Sequence, residues 1–235
     1  YFGRPYSYYV AGFYFSYIFL DNRCRSLPRP RAKLWSHSGI FRLFRNYFPI
    51  RLVKSMKAKN TANTNTNTNR KNTNTNTDKI IFDPTKNYLF CYHPHGVQSA
   101  GALVMSTGAS GFDELFPGLT VSVQTLAINF SVPVFRENCI GLGMGDASKE
   151  TITNALTRGP GSCAALVTGG AKESMIAQPY SAKVVLKNRA GFVKLCLRTG
   201  ASLVPMWGFG ENNLYENIAI GHPWVQKWQR RIQRV

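Results

Sequence analysis

The chain has 235 residues and carries 29 Lys and Arg against 11 Asp and Glu, a formal charge of +18 at pH 7. That length suits one full domain with room for a smaller accessory segment, and the basic excess points to an anionic partner: nucleic acid, acidic lipid or a phosphorylated cofactor. The five cysteines (Cys24, Cys91, Cys139, Cys163 and Cys196) are odd in number, widely spaced and without a CxxC pair, which argues against a disulfide scaffold and a zinc knuckle and for a reducing compartment.

The chain does not begin with Met, and Tyr6 to Leu20 (YSYYVAGFYFSYIFL) is aromatic and apolar. This is short of the roughly 20 apolar residues of a spanning helix, and an amino-terminal hairpin cut short is the expectation. Arg23, Arg25, Arg29, Arg31, Lys33, Arg42, Arg45, Arg51, Lys54 and Lys57 follow, with Asp21 as the lone acid. Such a flank fits attraction to anionic headgroups and the positive-inside rule, which puts the remainder in the cytosol; a buried helix with a solvated basic loop is the bland alternative. In residues 35–56, Trp35, Ile40, Phe41, Phe44, Tyr47 and Phe48 recur between arginines at helical spacing. Both an interfacial helix and one packed on a core produce this pattern. Residues 1–59 are therefore read as a membrane-associated hydrophobic and basic segment.

Residues 60–78 are dominated by Asn-Thr alternation, which cannot build a core and reads as a disordered insertion. From residue 79 to 235 short apolar runs alternate with helix-like stretches, the pattern of an α/β domain with a mixed, mostly parallel sheet flanked by helices. Tyr88–Tyr92, Ser162–Thr168, Lys183–Leu186 and Ala201–Trp207 read as strands, and AGFVKLCLRT as a helix stopped by Gly200. Most of these strands run into glycine-containing loops with ionisable residues, and open α/β sheets bind ligands at carboxyl strand ends.

Three constellations stand at such ends. In CYHPHG (91–96), Pro94 biases His93 toward extended backbone, so Cys91, His93 and His95 are expected to alternate onto one face before Gly96 turns the chain. The histidines suit a general base, half of a metal site, or a structural pair; no third ligand is evident, and no metal is assigned. In VTGGAKES (167–174), Gly169 and Gly170 can aim backbone N–H groups at an anion, with Glu173 one turn on as a proton partner for a histidine. A plain turn opening a helix explains the same residues. In KNRAGFVK (187–194), Lys187, Arg189 and Lys194 surround a strand-to-helix turn and suit phosphate or a solvated face. GLGMGDASK (141–149) departs from a dinucleotide loop, since Asp146 takes the place of the third glycine.

Taken together, YHPHG, PVFRE (133–137), VTGGAKES and above all LKNRAGFVKLCLRTGASLVPMWGFGEN (186–212) resemble the type 2 acyl-CoA:diacylglycerol acyltransferase family, which also includes monoacylglycerol and wax-alcohol acyltransferases. The resemblance covers roughly residues 35–59 and 79–220, and relatives continue further, so the acyltransferase domain is expected to be incomplete at its carboxyl end. It implies a glycerolipid-acyltransferase-like fold and an enzyme of the endoplasmic reticulum membrane or lipid droplet, its site facing the cytosol. This enzyme would move an acyl group from acyl-CoA to diacylglycerol, forming triacylglycerol, with acyl-CoA as co-substrate, no further cofactor and self-association left open. HPHG carries the catalysis in that family. This marks His95, with His93 beside it, as the base and Glu173 as its partner, with Gly96, Gly169 and Gly170 as oxyanion donors and Arg189, Lys187 and Lys194 as acyl-CoA contacts. Related glycerolipid acyltransferases use His, four intervening residues, then Asp; here those positions hold Gln98 and Ala100, so the carboxylate comes from elsewhere. Rival readings are another acceptor, monoacylglycerol or a fatty alcohol, and a non-catalytic membrane lipid-binding remnant. Nucleic-acid binding is disfavoured because the basic residues sit beside apolar aromatic segments.

Overall fold

The computed structural model describes residues 4–21, 32–55, 81–217 and 220–232. In chain order the elements are α1 (Arg4–Leu20), α2 (Lys33–Ser36), α3 (Gly39–Tyr47), β1 (Tyr88–His93), α4 (Ala100–Met105), α5 (Phe112–Leu115) and β2 (Thr120–Thr125). Then come α6 (Phe135–Gly141), β3 (Gly145–Asp146), α7 (Lys149–Thr157), β4 (Ser162–Val167), α8 (Gly170–Ser174), α9 (Gly191–Thr199), β5 (Ser202–Trp207) and α10 (Pro223–Ile232). The Asn-Thr tract and Cys24 lie outside the described residues.

The strands form a five-stranded sheet in the order β3-β2-β4-β1-β5, and every pairing is parallel. The expected mixed sheet is therefore corrected to an all-parallel one. Parallel strands buried on both faces read as continuous apolar runs, and β1 (YLFCYH) is buried along its whole length. Its alternation serves two cores. Phe90 packs with Phe112, Phe116, Val121 and Val123 on one face, joined by Phe41 and Leu52 from the amino-terminal segment. Leu89 and Cys91 pack with Ile152, Leu156, Ala164 and Leu195 on the other. The partly buried Phe82 meets Phe116 edge to face at 4.9 Å, and a fully buried ring such as Phe90 or Phe112 stabilises the fold by about 1.5–3 kcal/mol through burial alone.

Two sequence expectations change. Lys183–Leu186 forms no strand; the Val185 N–H is drawn instead to the Glu173 carboxylate at 2.7 Å, which removes it from any ladder. Residues 120–125 (TVSVQT), not among the strands read from the sequence, form β2. Its buried donors are satisfied locally: the Ser122 hydroxyl donates to the Gly143 carbonyl and the Gln124 amide NH₂ to that of Ser122.

At the amino terminus α1 is 17 residues long, and no described helix is long and apolar enough to cross a membrane. Tyr8, Tyr9, Val10, Phe13 and Phe15 of α1 are exposed. The helix is tied to α6 by Tyr14, whose hydroxyl donates to Glu137 at 2.5 Å, and by the buried Arg136, which bonds Asp21 at 2.9 Å. The apolar residues of 35–56 divide their roles: Phe41 enters the core, whereas Ile40 and Tyr47 face outward.

Candidate active site

β1 lies between β4 and β5, with Tyr92 level with Val167 and His93 level with Trp207. The carboxyl ends of these strands thus release three loops side by side: HPHG, TGG leading into α8, and GFGE. Each loop brings one acidic or imidazole group to the same place.

Glu173 is the centre of the first cluster. It is only 1% exposed. Its Oε1 accepts the His95 backbone N–H at 2.6 Å and its Oε2 the Val185 N–H at 2.7 Å. Both oxygens lie 3.2 Å from His93 Nδ1. Because a carboxylate only accepts, His93 carries a proton on Nδ1, and in the neutral ring its Nε2 accepts from the Thr168 hydroxyl, which sits directly against it. Cys91 and His93 share a strand face as expected, but β1 ends at His93 and His95 lies in the loop beyond it. Glu173 therefore meets the His93 ring and only the backbone of His95.

The His95 ring is oriented differently. Its Nδ1 donates to the Gly96 carbonyl at 3.0 Å, and no described residue bonds its Nε2. Burial holds its pKa below the ordinary 6.5, against the pull of that carbonyl and of Glu173 and Glu211. Neutral imidazole with a bare Nε2 is the form a general base requires.

A second buried carboxylate grips the loop from the opposite side. Glu211, in the GFGE turn, accepts the Ala100 N–H at 2.7 Å, the Gly101 N–H at 3.0 Å and the Tyr92 hydroxyl at 2.6 Å. Burial, with this carboxylate next in weight, raises the Tyr92 pKa. Glu211 lies inside the segment that carries the family resemblance, yet nothing in its spacing from HPHG announces the contact. Thr168 was equally unmarked, a plain residue before a Gly-Gly pair.

The glycines serve these close approaches. A Cβ at Gly169 would fall on the Glu173 carboxylate, and one at Gly96, where φ is +60°, would lie 2.8 Å from Glu211 Cγ. Gly170 lines a cavity of about 1080 Å³ with Thr168, Ile152, Leu166, Phe192 and Leu195. Lys149, Lys172 and Arg189 also line it, and Arg189 is fixed by donating to the Gly169 carbonyl at 3.0 Å. Lys187 and Lys194 are exposed and stand outside this lining. On the other sheet face a cavity of about 840 Å³ is lined by Phe82, Phe90, Met105, Phe116, Met206 and Trp207, together with Tyr92 and Glu211. Burial pushes the Cys91 and Cys163 thiols up to about 12, which leaves no thiolate there at neutral pH. Among the described residues no group of three or more His, Cys, Asp and Glu is placed to hold a metal ion.

Residues 74–235 match the family model described as diacylglycerol acyltransferase. The chain is 41% identical over 196 residues to Diacylglycerol O-acyltransferase 2A of Umbelopsis ramanniana, covering 82% of this chain and 48% of that protein. It is 39% identical over 212 residues to Diacylglycerol O-acyltransferase 2 of Dictyostelium discoideum, covering 90% and 55%. Against Diacylglycerol O-acyltransferase 2 of Homo sapiens it is 37% identical over 224 residues, covering 93% and 52%. The chain thus spans about half the length of these curated relatives, and no solved structure matches it. With the family model spanning more than half of its residues, the chain belongs to the diacylglycerol acyltransferase family.

Proposed function

We propose that this chain carries the reaction centre of an acyl-CoA:diacylglycerol O-acyltransferase, which transfers a fatty acyl group to the free hydroxyl of diacylglycerol and forms triacylglycerol. The observation that carries this reading is the neutral, half-buried His95 ring, its Nδ1 held by Gly96, set beside the His93–Glu173 pair at the carboxyl end of a parallel sheet. Family membership and the names of the relatives support the choice of acyl donor and acceptor.

His95 Nε2 takes the acceptor proton as its oxygen attacks the acyl carbonyl. Glu173 holds His95 in place through the backbone and orients the neighbouring His93 ring. The oxyanion is met by backbone N–H groups of the glycine loops, with Gly170 favoured because it lines the larger cavity. Gly96 and Gly169 let the two carboxylates approach. Coenzyme A phosphates lie against Arg189, Lys149 and Lys172, three cations at one cavity; Lys187 and Lys194 contribute only long-range charge. Acyl-CoA is a co-substrate, and no further cofactor or metal takes part. The exposed aromatic residues of α1 and the basic residues after it seat the site on the cytosolic surface of the endoplasmic reticulum or a lipid droplet.

The test is transfer from labelled oleoyl-CoA in membranes that contain the chain, with diacylglycerol, monoacylglycerol and a fatty alcohol offered in parallel. Triacylglycerol is the expected product, and His95→Ala is expected to lower its formation by about 10²- to 10⁴-fold. Preference for another acceptor overturns the substrate assignment, and unchanged transfer by His95→Ala overturns the base.

The pH profile follows from the lowered His95 pKa. The base is the deprotonated ring, so the acid limb of kcat/KM for the acceptor is centred below pH 6.5, where protons reach the folded-state ring. Stability runs the same way. The unfolded state binds the proton first, so the folded state loses stability as pH falls below about 6.5. A limb centred above 6.5 in kcat/KM counts against His95.

A further inference from the structure

The site holds two imidazoles in two different settings, and direct transfer uses only one of them. His93 is engaged at both nitrogens. Glu173 accepts a hydrogen bond from Nδ1–H, and in the neutral ring the lone pair on Nε2 faces the Thr168 hydroxyl. Hydroxyl, imidazole and carboxylate thus stand in sequence, the arrangement that activates a serine or threonine oxygen as a nucleophile on unrelated folds. A structural histidine needs its nitrogens satisfied but does not need its hydroxyl partner to face substrate space. Thr168 belongs to the lining of the 1080 Å³ cavity while being only 6% exposed.

Rival hydroxyls nearby are committed elsewhere. Ser99 donates to the His95 carbonyl at 2.8 Å and Ser174 to that of Ala171 at 2.9 Å. The buried Cys91 and Cys163 thiols hold their protons. Thr168 is therefore the oxygen at this site with a base in contact, an orienting carboxylate behind that base, and a place in the cavity lining.

We propose that Thr168 Oγ1 is transiently acylated, so that transfer proceeds in two displacements with one histidine serving each. This deepens the acyltransferase reading above and rests on it for the acyl donor. In the first step Oγ1 attacks the thioester carbonyl while its proton passes to His93 Nε2. The carbon–sulfur bond breaks, coenzyme A leaves as the thiolate, and Glu173 stabilises the imidazolium. In the second step the acceptor oxygen attacks the Thr168 ester as His95 Nε2 takes its proton. The bond to Oγ1 breaks, Oγ1 recovers its proton from His93, and His95 releases its own to solvent, matching the thiolate. No oxidant, metal or further reactant enters.

The experiment incubates the chain, in the membranes that contain it, with oleoyl-CoA labelled in the acyl group and without acceptor. Free coenzyme A and protein-bound label are measured after a denaturing quench. The expected result is a burst of about one coenzyme A per chain, and bound label that hydroxylamine removes and that maps to the peptide containing Thr168. Thr168→Val keeps the shape without the hydroxyl and is expected to lose the label and at least about a hundredfold in transfer. Thr168→Ser keeps the label, which separates chemistry from folding. His95→Ala is expected to keep burst and label but not to pass the acyl group to diacylglycerol. Triacylglycerol formed without acceptor-independent coenzyme A release or label overturns the proposal while leaving the acyltransferase reading intact, as does a Thr168→Val chain with unchanged transfer. Label without product from any acceptor overturns the acceptor reading alone. Neither label nor product overturns both.

Discussion

Glu173→Ala is expected to abolish measurable acyl transfer and to destabilise the fold by about 3 kcal/mol or more. The reason is the number of donors that depend on one buried carboxylate. The backbone N–H groups of His95 and Val185 and the Nδ1–H of His93 all end on it. Each buried donor left without a partner costs about 1–3 kcal/mol, and the site is too enclosed for bulk water to replace the lost acceptor. Glutamine is a sharper probe because it keeps the volume. Whichever way its amide is turned, an NH₂ meets a donor, so Glu173→Gln is expected to retain part of the stability and lose most of the activity, on the order of 10³-fold. Thermal unfolding of both variants beside their kcat/KM checks this. Equal stability of wild type and Glu173→Ala would sink the account.

The second large effect is expected at Glu211, which never touches the histidine rings. Glu211→Ala orphans the N–H groups of Ala100 and Gly101 and the Tyr92 hydroxyl, a loss of about 2–4 kcal/mol. Its effect on catalysis is positional. The loop from His93 to Gly101 is anchored at one end by Glu173 and at the other by Glu211, and freeing one anchor lets His95 drift. A misplacement of about 1 Å costs on the order of a hundredfold in rate. kcat is therefore expected to fall while KM for acyl-CoA changes little, since the cations proposed to meet the donor lie on other elements. Tyr92→Phe removes one donor and leaves the carboxylate its two backbone partners, so it is expected to show a smaller loss of the same kind. A double-mutant cycle with Glu211→Ala then measures the coupling. A fall in substrate affinity with kcat intact would place Glu211 in binding instead.

The contrast between these two glutamates marks how far the amino-acid sequence reaches. Glu173 is legible because it follows a strand and two glycines at a distance one helical turn spans. Glu211 is not. It meets Ala100 from 111 residues away, and that meeting exists only because β5 pairs with β1 in a register that brings Trp207 level with His93. Thr168 is hidden for the same reason: it reaches His93 because β4 is the other neighbour of β1, in a register that sets Val167 level with Tyr92. The assignment of Glu173 between the histidines also lies beyond local reasoning. Alternation predicts a shared face for His93 and His95 only while the strand continues, and the strand stops at His93.

By itself the sequence determined the strands β1, β4 and β5, the helix α9 with Gly200 at φ +71° after its last turn, and the gathering of imidazole, carboxylate and glycine at carboxyl strand ends. These are local facts, written in apolar runs, periodicity and the special backbone freedom of glycine. Only the tertiary structure decided that the sheet is wholly parallel, that the polar segment TVSVQT is a strand, and that KVVL surrenders its N–H to a carboxylate rather than to a ladder. It also decided which imidazole Glu173 holds and which hydroxyl stands behind it. Strand order and register are set by the burial of two faces at once, and a short segment cannot reveal which distant partners will satisfy its buried polar groups.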